Sequence, residues 1–554
     1  MSARAAPSRH VPWAYAGLAA LVAGLWLAIL PSRPLFNPDE GRYAEIPREM
    51  LASGDWVIPH LNGVDYIEKP PLQYWATALA LRVLGQGEFA ARLYTALSAL
   101  ATLLVVWLLA GRLWGGTAAW RAASVLCSML LFVILGQLLT LDMSLTFYMT
   151  SSLAAFLLAQ TSPRTADSRP DERRWMLLAW LAAALGVLTK GLVAAAIPAA
   201  VLLLYSLYSR DFAPWRRLHL TPGLALFLAI TLPWHWLAAS RLPGFLQFFF
   251  VHEHLSRYLT PSADRQEAWW FFVAVFALGS VPWTLPALRA LCVHWHRRAP
   301  PGQFDATVFL WIWIVFVVVF FSLSDSKLIP YILPAMPALA LSIAALPAAA
   351  FERDVRLTAL STLAAAAGLT AAALYGPRFL GATDRAPYFA MLARPLGEIA
   401  ALLAVSALFV LVRQRRGALS AAAFLGVGWC LAGLLLMRAA GLVAPIYSGV
   451  VLARAAGAIP TDEPIYSVGT YDQTLPFYWQ RTVKLVAYRG ELDFGLRQDP
   501  AAENPSVADF VSKWRDAPNG YAVMERTMFD DLKTRGVPMR EIARDVHRIL
   551  VARR

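Results

Sequence analysis

Two adjacent acids, Asp39 and Glu40, open the stretch NPDEGRYAEIPREM, and ionisable residues recur at intervals after them. Adjacent acids alone would fit a solvated helix start after Pro38, where carboxylates favour the helix N-terminus. Asp142, however, sits at the start of a later apolar block, and an Asp has no long stem with which to snorkel out of a membrane boundary. Cations accompany the acids: Lys69 beside Glu68, Lys190 in the turn TKG, Arg257, and Lys327 in SDSK. Any one of them could be a lysine or arginine anchored among lipid headgroups. Taken together they make a polar set suited to an anionic ligand such as phosphate.

The segment FFFVHEHLSRYLT places His252 and His254 two residues apart with Glu253 between them. That spacing shares a face on an extended segment and not on a helix, and it is not the HExxH of a metalloprotease. A divalent cation held by Glu68 with His252 or His254 is one reading. Direct substrate contact by Glu253 or Arg257 is the other, and the preferred one. Among the aromatics of these loops, most fit an interfacial belt. Tyr43, Tyr66 and Tyr331 are the candidates to stack on a sugar face or bond a phosphate.

The elements that position these residues are membrane spans. The chain has 554 residues, 58% hydrophobic and 15% charged, with a mean hydropathy of +0.51. Ordinary soluble domains carry about 25% charged residues. The apolar residues fall into thirteen blocks, near 12–31, 88–111, 118–136, 142–160, 174–188, 191–208, 219–239, 269–290, 306–323, 328–349, 356–374, 396–413 and 418–438. Most have the roughly 20-residue length that crosses a bilayer as a helix. A shorter block at 71–84 follows Pro70-Pro71 and reads as a helix lying at the interface.

Arginine-rich connections orient the spans. With Arg4 and Arg9 in the cytoplasm, the same side receives Arg112 and Arg121, the 164–174 segment, Arg210/Arg216/Arg217, Arg289/Arg297/Arg298, Arg353/Arg356 and Arg413/Arg415/Arg416. The candidate residues and the segment after 440 then lie on the opposite, periplasmic side. The formal charge of +13 is thereby explained by loop arginines and anionic lipid, without nucleic acid. Cys127, Cys292 and Cys430 have no metal-ligand spacing and no periplasmic partner.

Two divisions follow: a membrane domain over 1–440, including a long loop at 32–87, and a soluble domain over 441–554. The tail alternates strand patterns (464–469, 483–488, 520–525 and about 543–552) with helical ones near 471–480, 506–515 and 526–535. That pattern predicts a small α/β layer. It contains no nucleotide-binding glycine motif.

The string NPDEGRYAEIPREMLASGDWVIPHLNG, followed by YIEKPPLQYW, resembles the first periplasmic loop of the lipid A aminoarabinose transferases. These are bacterial relatives of the protein O-mannosyltransferases in the GT-C class of membrane glycosyltransferases. LDMSLTFYM, LTKG, HEHLSRYL and SDSKLIPYILPAMPALAL look like further segments of that family, in order, over about the first 340 residues. The resemblance implies a GT-C fold in the bacterial inner membrane and transfer of 4-amino-4-deoxy-L-arabinose from undecaprenyl phosphate to a lipid A phosphate. The product would carry an added amine and lower affinity for polymyxin.

It further implies Asp39, Asp142 and Glu68 as catalytic residues. Asp39 would lie near the anomeric centre or orient the acceptor, and Asp142 or Glu68 would meet the sugar ammonium or hold a cation. Lys69, Arg257, Lys190 and Lys327 would hold the donor phosphate, with Arg42, Tyr43, Tyr66, Glu253 and Tyr331 also binding substrate. No cofactor is implied with certainty. Two other readings remain: a GT-C enzyme for another polyprenyl-phosphate sugar, such as a protein mannosyltransferase, and a lipid or sugar transporter. The transporter is disfavoured because the ionisable residues gather at one membrane face and no internal repeat is visible.

Overall fold

The computed structural model describes residues 13–162, 169–256, 267–295, 303–381, 383–413, 418–499 and 504–553. All thirteen apolar blocks are helical. Among the described residues, seven helices are long and apolar enough to cross a membrane, and the pair Phe271–Gly279 and Thr284–Trp295, bent by 113°, brings the number to eight. Val193–Ser209, Ala306–Ser322 and Ile329–Ala344 are shorter apolar helices. The block at 118–136 is broken into Gly116–Leu126 and Leu130–Leu135. Arg169–Lys190 is long, but its first turns carry Asp171, Glu172, Arg173 and Arg174.

The chain divides into two compact units. The first comprises Met1–Ile29, Thr95–Ala371 and Leu396–Leu436 and holds most of the apolar helices. Several of its buried polar groups find partners within the unit, which lowers their cost in a hydrocarbon environment. Trp283 Nε1 donates to Ser128 Oγ at 2.7 Å, Ser152 Oγ to the Ala179 carbonyl at 2.9 Å, and Gln137 Nε2 to the Trp26 carbonyl at 3.0 Å. Leu141–Thr161, Arg169–Lys190 and Val193–Ser209 pack against one another, so the start of one and the end of the next meet at a common level.

The second unit comprises Leu30–Tyr94, Ala372–Pro395 and Met437–Arg554. The long first loop thus packs with the tail. Helix Asp39–Ser53 is buried from Glu40 to Met50 and ends at Gly54, whose φ of +73° is the left-handed closure that glycine favours. It lies against Leu72–Leu84, against the short hairpin of β1 (His60–Leu61) and β2 (Val64–Asp65), and against the tail helix Thr474–Trp479. At Gly41 the approach is so close that an added Cβ would fall 2.5 Å from the Gln473 carbonyl carbon. Only glycine fits there. Leu72–Leu84 leaves Leu79, Val83 and Leu84 exposed, the apolar side expected of a helix at an interface.

The tail is a five-stranded mixed sheet of β3 (Ile465–Val468), β4 (Lys484–Val486), β5 (Tyr521–Glu525), β6 (Arg540–Arg544) and β7 (Arg548–Ala552), in the order β4-β3-β5-β7-β6. β3 runs parallel to β4 and β5, whereas β7 is antiparallel to β5 and β6. The period-2 alternation sorts the side chains. Ala522, Met524, Ile549 and Val551 face a core with Phe510, Trp514 and Leu532, while Val523 and Leu550 face Leu452 and Leu475. Helix Val507–Asp516 opens with a Ser506/Asp509 capping box. The single strand expected around 543–552 is a hairpin instead. Asp545 turns the chain by accepting the backbone N–H groups of His547 and Arg548.

Candidate active site

The two adjacent acids separate by environment. Glu40 is buried with Arg33 and Arg92, all three at most 3% exposed. Arg92 donates to both Glu40 oxygens at 2.8 and 2.9 Å and also holds the carbonyls of Leu30, Arg33 and Pro34. Arg33 adds two further bonds to the same carboxylate, and Phe36 donates its N–H. Burial would raise the Glu40 pKa, but the two guanidiniums override it and hold it well below the ordinary carboxylate range. Asp39, one residue earlier, remains half-exposed. Glu40 is structural and Asp39 is available.

One turn on, Arg42 projects among acids and phenols. Its guanidinium lies 2.5 Å from Glu491 and 3.3 Å from Asp39, and 5.7 Å from the Tyr43 ring centroid. Among the described residues its buried Nε has no hydrogen-bond partner, and neither do the buried hydroxyls of Tyr66 and Tyr74. Three orphaned polar groups in one place are the mark of a site that receives a polar ligand. Burial works against the Arg42 charge, but Tyr66, Glu491, Tyr43 and Asp39 outweigh it and raise its pKa. The Glu491 pKa is raised, chiefly by burial, against the opposing Arg42. Glu68 adds to the field at both Tyr66 and Glu491. Lys69 turns its Nζ to the Glu68 carbonyl at 2.9 Å.

The first unit carries its own polar centre. Asp142, in the first turn of Leu141–Thr161, pairs with Lys190, the last residue of its helix. Lys190 Nζ also lies 4.9 Å from the Tyr331 ring centroid. Lys327 is buried in the segment leading to Tyr331.

The second unit thus gathers Asp39, Arg42, Tyr43, Tyr66 and Glu68, and the first gathers Asp142, Lys190 and Tyr331. The side chains of His252, Glu253 and His254, and the whole of Arg257, lie outside the described residues. Among the described residues no group of three or more His, Cys, Asp or Glu is placed to hold a metal ion. Sequence reasoning missed Glu491, Tyr74 as more than a belt aromatic, and Gln473, whose Nε2 donates to Glu491 at 2.5 Å. No motif marks Glu491. It enters from a short turn at Gly490–Leu492, about 450 residues from its partner.

Comparison with known proteins bears on the fold and the family. The structure superposes on that of ArnT from Cupriavidus metallidurans bound to undecaprenyl phosphate with a TM-score of 0.90, at 32% identity, covering 98% of each chain. The chain belongs to the ArnT family. Residues 452–553 match the aminoarabinose transferase C-terminal domain, and residues 13–249 match the dolichyl-phosphate-mannose-protein mannosyltransferase model. Curated relatives named undecaprenyl phosphate-alpha-4-amino-4-deoxy-L-arabinose arabinosyl transferase include one from Sodalis glossinidius (38% identical, 58% of this chain and 59% of that protein). Another is from Pseudomonas aeruginosa strain LESB58 (37%, 57% and 56%). The matched stretches therefore span less than two thirds of those relatives. The fold is the expected one, a polytopic helical membrane protein of the GT-C kind with a small C-terminal α/β domain.

Glu40→Gln would leave two buried guanidiniums short of a counter-charge, a loss of about 3–5 kcal/mol for a buried pair. Asp39→Asn, at a half-exposed position, is expected within about 1 kcal/mol of wild type. Thermal unfolding of both variants in detergent checks the contrast, and equal midpoints would remove the structural role given to Glu40.

Proposed function

We propose that this chain transfers 4-amino-4-deoxy-L-arabinose from undecaprenyl phosphate to a phosphate of lipid A at the periplasmic face of the bacterial inner membrane. The observation that carries the reading is the cluster of Arg42, Asp39, Glu68 and Glu491 around the orphaned Tyr66 hydroxyl. Full-length similarity to a family member bound to undecaprenyl phosphate supports it. The ligand such a cluster suits is an amino sugar with a phosphate. Three carboxylates in one small region offer partners to a sugar ammonium, and Arg42 and the phenols offer donors to sugar or phosphate oxygens.

In the reaction, an oxygen of the acceptor phosphate bonds to the anomeric carbon. The bond from that carbon to the donor phosphate oxygen breaks, and its electron pair leaves with undecaprenyl phosphate. The acceptor oxygen is already ionised at neutral pH, so positioning and charge neutralisation matter more than a strong base. Asp39, half-exposed beside Arg42, is assigned to the anomeric centre or to orienting the acceptor. Lys69 is assigned to the donor phosphate. Lys190 and Lys327 supply positive charge in the first unit, with Asp142 holding Lys190. Arginine-rich connections on the opposite side support a cytoplasmic N-terminus and a periplasmic tail.

The test is expression in a host whose own aminoarabinose transferase gene is deleted. Rescue of polymyxin survival, with a lipid A mass increment matching aminoarabinose that disappears in Asp39→Ala, is expected. An alkaline phosphatase fused to the C-terminus should be active in the same cells. A well-expressed protein that gives no increment would send the assignment to another polyprenyl-linked sugar, and an inactive fusion would reverse the topology.

Glu491 gives a pH signature. Its pKa is raised, so its ionised fraction falls as pH drops through a value above the usual glutamate range. Transfer by wild type should decline there, and Glu491→Gln should lose that acid limb together with at least about tenfold in rate, the scale of one charge-assisted contact. A Glu491→Gln profile identical to wild type would exclude the residue.

A further inference from the structure

A polar cavity lies in the same unit as the Arg42 cluster, and none of its lining residues belongs to that cluster. Its volume is about 280 Å³, and it is bounded by Gln86, Glu88, Arg454, Phe477, Tyr478 and Gln480. That is at the small end of ligand pockets, enough for a headgroup and too little for a lipid. Two features fix its surroundings. Leu79, Val83 and Leu84 are exposed on the helix that ends just before Gln86. Glu88 is the first residue of the 27-residue apolar helix Glu88–Trp114. The chain therefore passes through this cavity as it moves from an interfacial helix into a span, which places the cavity where lipid headgroups lie.

Its lining carries one acid and one base, Glu88 and Arg454. Glu88 accepts a hydrogen bond from the Tyr478 hydroxyl at 3.1 Å, and that hydroxyl itself accepts from the Leu35 N–H at 2.8 Å. The carboxylate is thereby fixed on one side of the cavity. The Arg454 guanidinium, in contrast, has no ion-pair or hydrogen-bond partner among the described residues, and the Gln86 amide has none either. A held anion and an unengaged cation lining one headgroup-sized cavity suit a group with both charges: a phosphate for the guanidinium and a neighbouring ammonium or hydroxyl for the carboxylate.

We propose that this cavity binds the phosphate-bearing headgroup of a membrane lipid, with Arg454 on the phosphate and Glu88 on the adjacent donor. Two lipids share that chemistry: a phospholipid such as phosphatidylethanolamine, and a phosphorylated glucosamine lipid such as lipid A. The readout is lipid labelling rather than turnover, so the result is independent of the transferase reading.

The full-length protein in nanodiscs is photolabelled with phosphatidylethanolamine, or with lipid A, carrying a photoactivatable headgroup, and the labelled peptides are mapped. Labelling within 86–94 or 450–480 that falls about tenfold in Arg454→Gln, returns in Arg454→Lys and persists in Asp39→Asn is expected. Labelling by the phospholipid alone identifies a bound membrane lipid; labelling by lipid A identifies an acceptor headgroup. Absence of label from both, or equal labelling in Arg454→Gln, overturns the proposal. Arg454 is exposed, so its substitution leaves folding intact.

Discussion

The carboxylate of Glu40, held between Arg33 and Arg92, is the interaction on which the candidate site depends. A buried anion of this kind is tolerable only when its lone pairs are filled, and here two guanidiniums and the Phe36 N–H fill them. Arg92 does more than balance charge. By binding the carbonyls of Leu30, Arg33 and Pro34 it fixes the chain between the end of the first span and the first turn of helix Asp39–Ser53. That turn carries Asp39, and the next carries Arg42. The orientation of both side chains is thus set by a neighbour that does no chemistry itself.

The tail supplies the other half of this frame. Asn37 donates its N–H to the Tyr447 carbonyl and accepts from the Gln473 N–H, and Asn62 exchanges two hydrogen bonds with Val483. The first loop is therefore tied along its length to segments beyond residue 440. Glu491 comes from the same side, carried on a turn just after β4. The first loop and the tail share this frame. The two pack as one unit, and the charge that balances Arg42 belongs to the tail.

Apolar length made the spans legible in the sequence, because hydrocarbon thickness imposes a uniform requirement on every crossing helix. The break in the block at 118–136 was not legible, since a bent pair and a straight helix have the same composition, whereas the break in 269–290 falls on Gly279 to Pro282, a breaker that apolar length alone passes over. Asp39 and Glu40 could not be told apart by type or spacing; the distinction lies in Arg92, 52 residues away from Glu40. Glu491 is a glutamate in a polar turn until folding brings Arg42 to it. In the tail, period-2 patterns gave the sheet, but the polar residues at 544–548 that make the β6–β7 turn hid inside one expected strand.

The fit at Gly41 also bears on how the molecule is made. The loop helix is synthesised early, but the backbone it must touch, at Gln473 and Thr474, leaves the ribosome more than 400 residues later. Until then the part of Asp39–Ser53 that meets Thr474–Trp479 has no cover, and Arg42 lacks the Glu491 carboxylate. A segment translated after the apolar helices is therefore the one that completes the polar cluster around Arg42. A chain interrupted between residues 450 and 470 would carry all the long apolar helices and still lack Gln473 and Glu491.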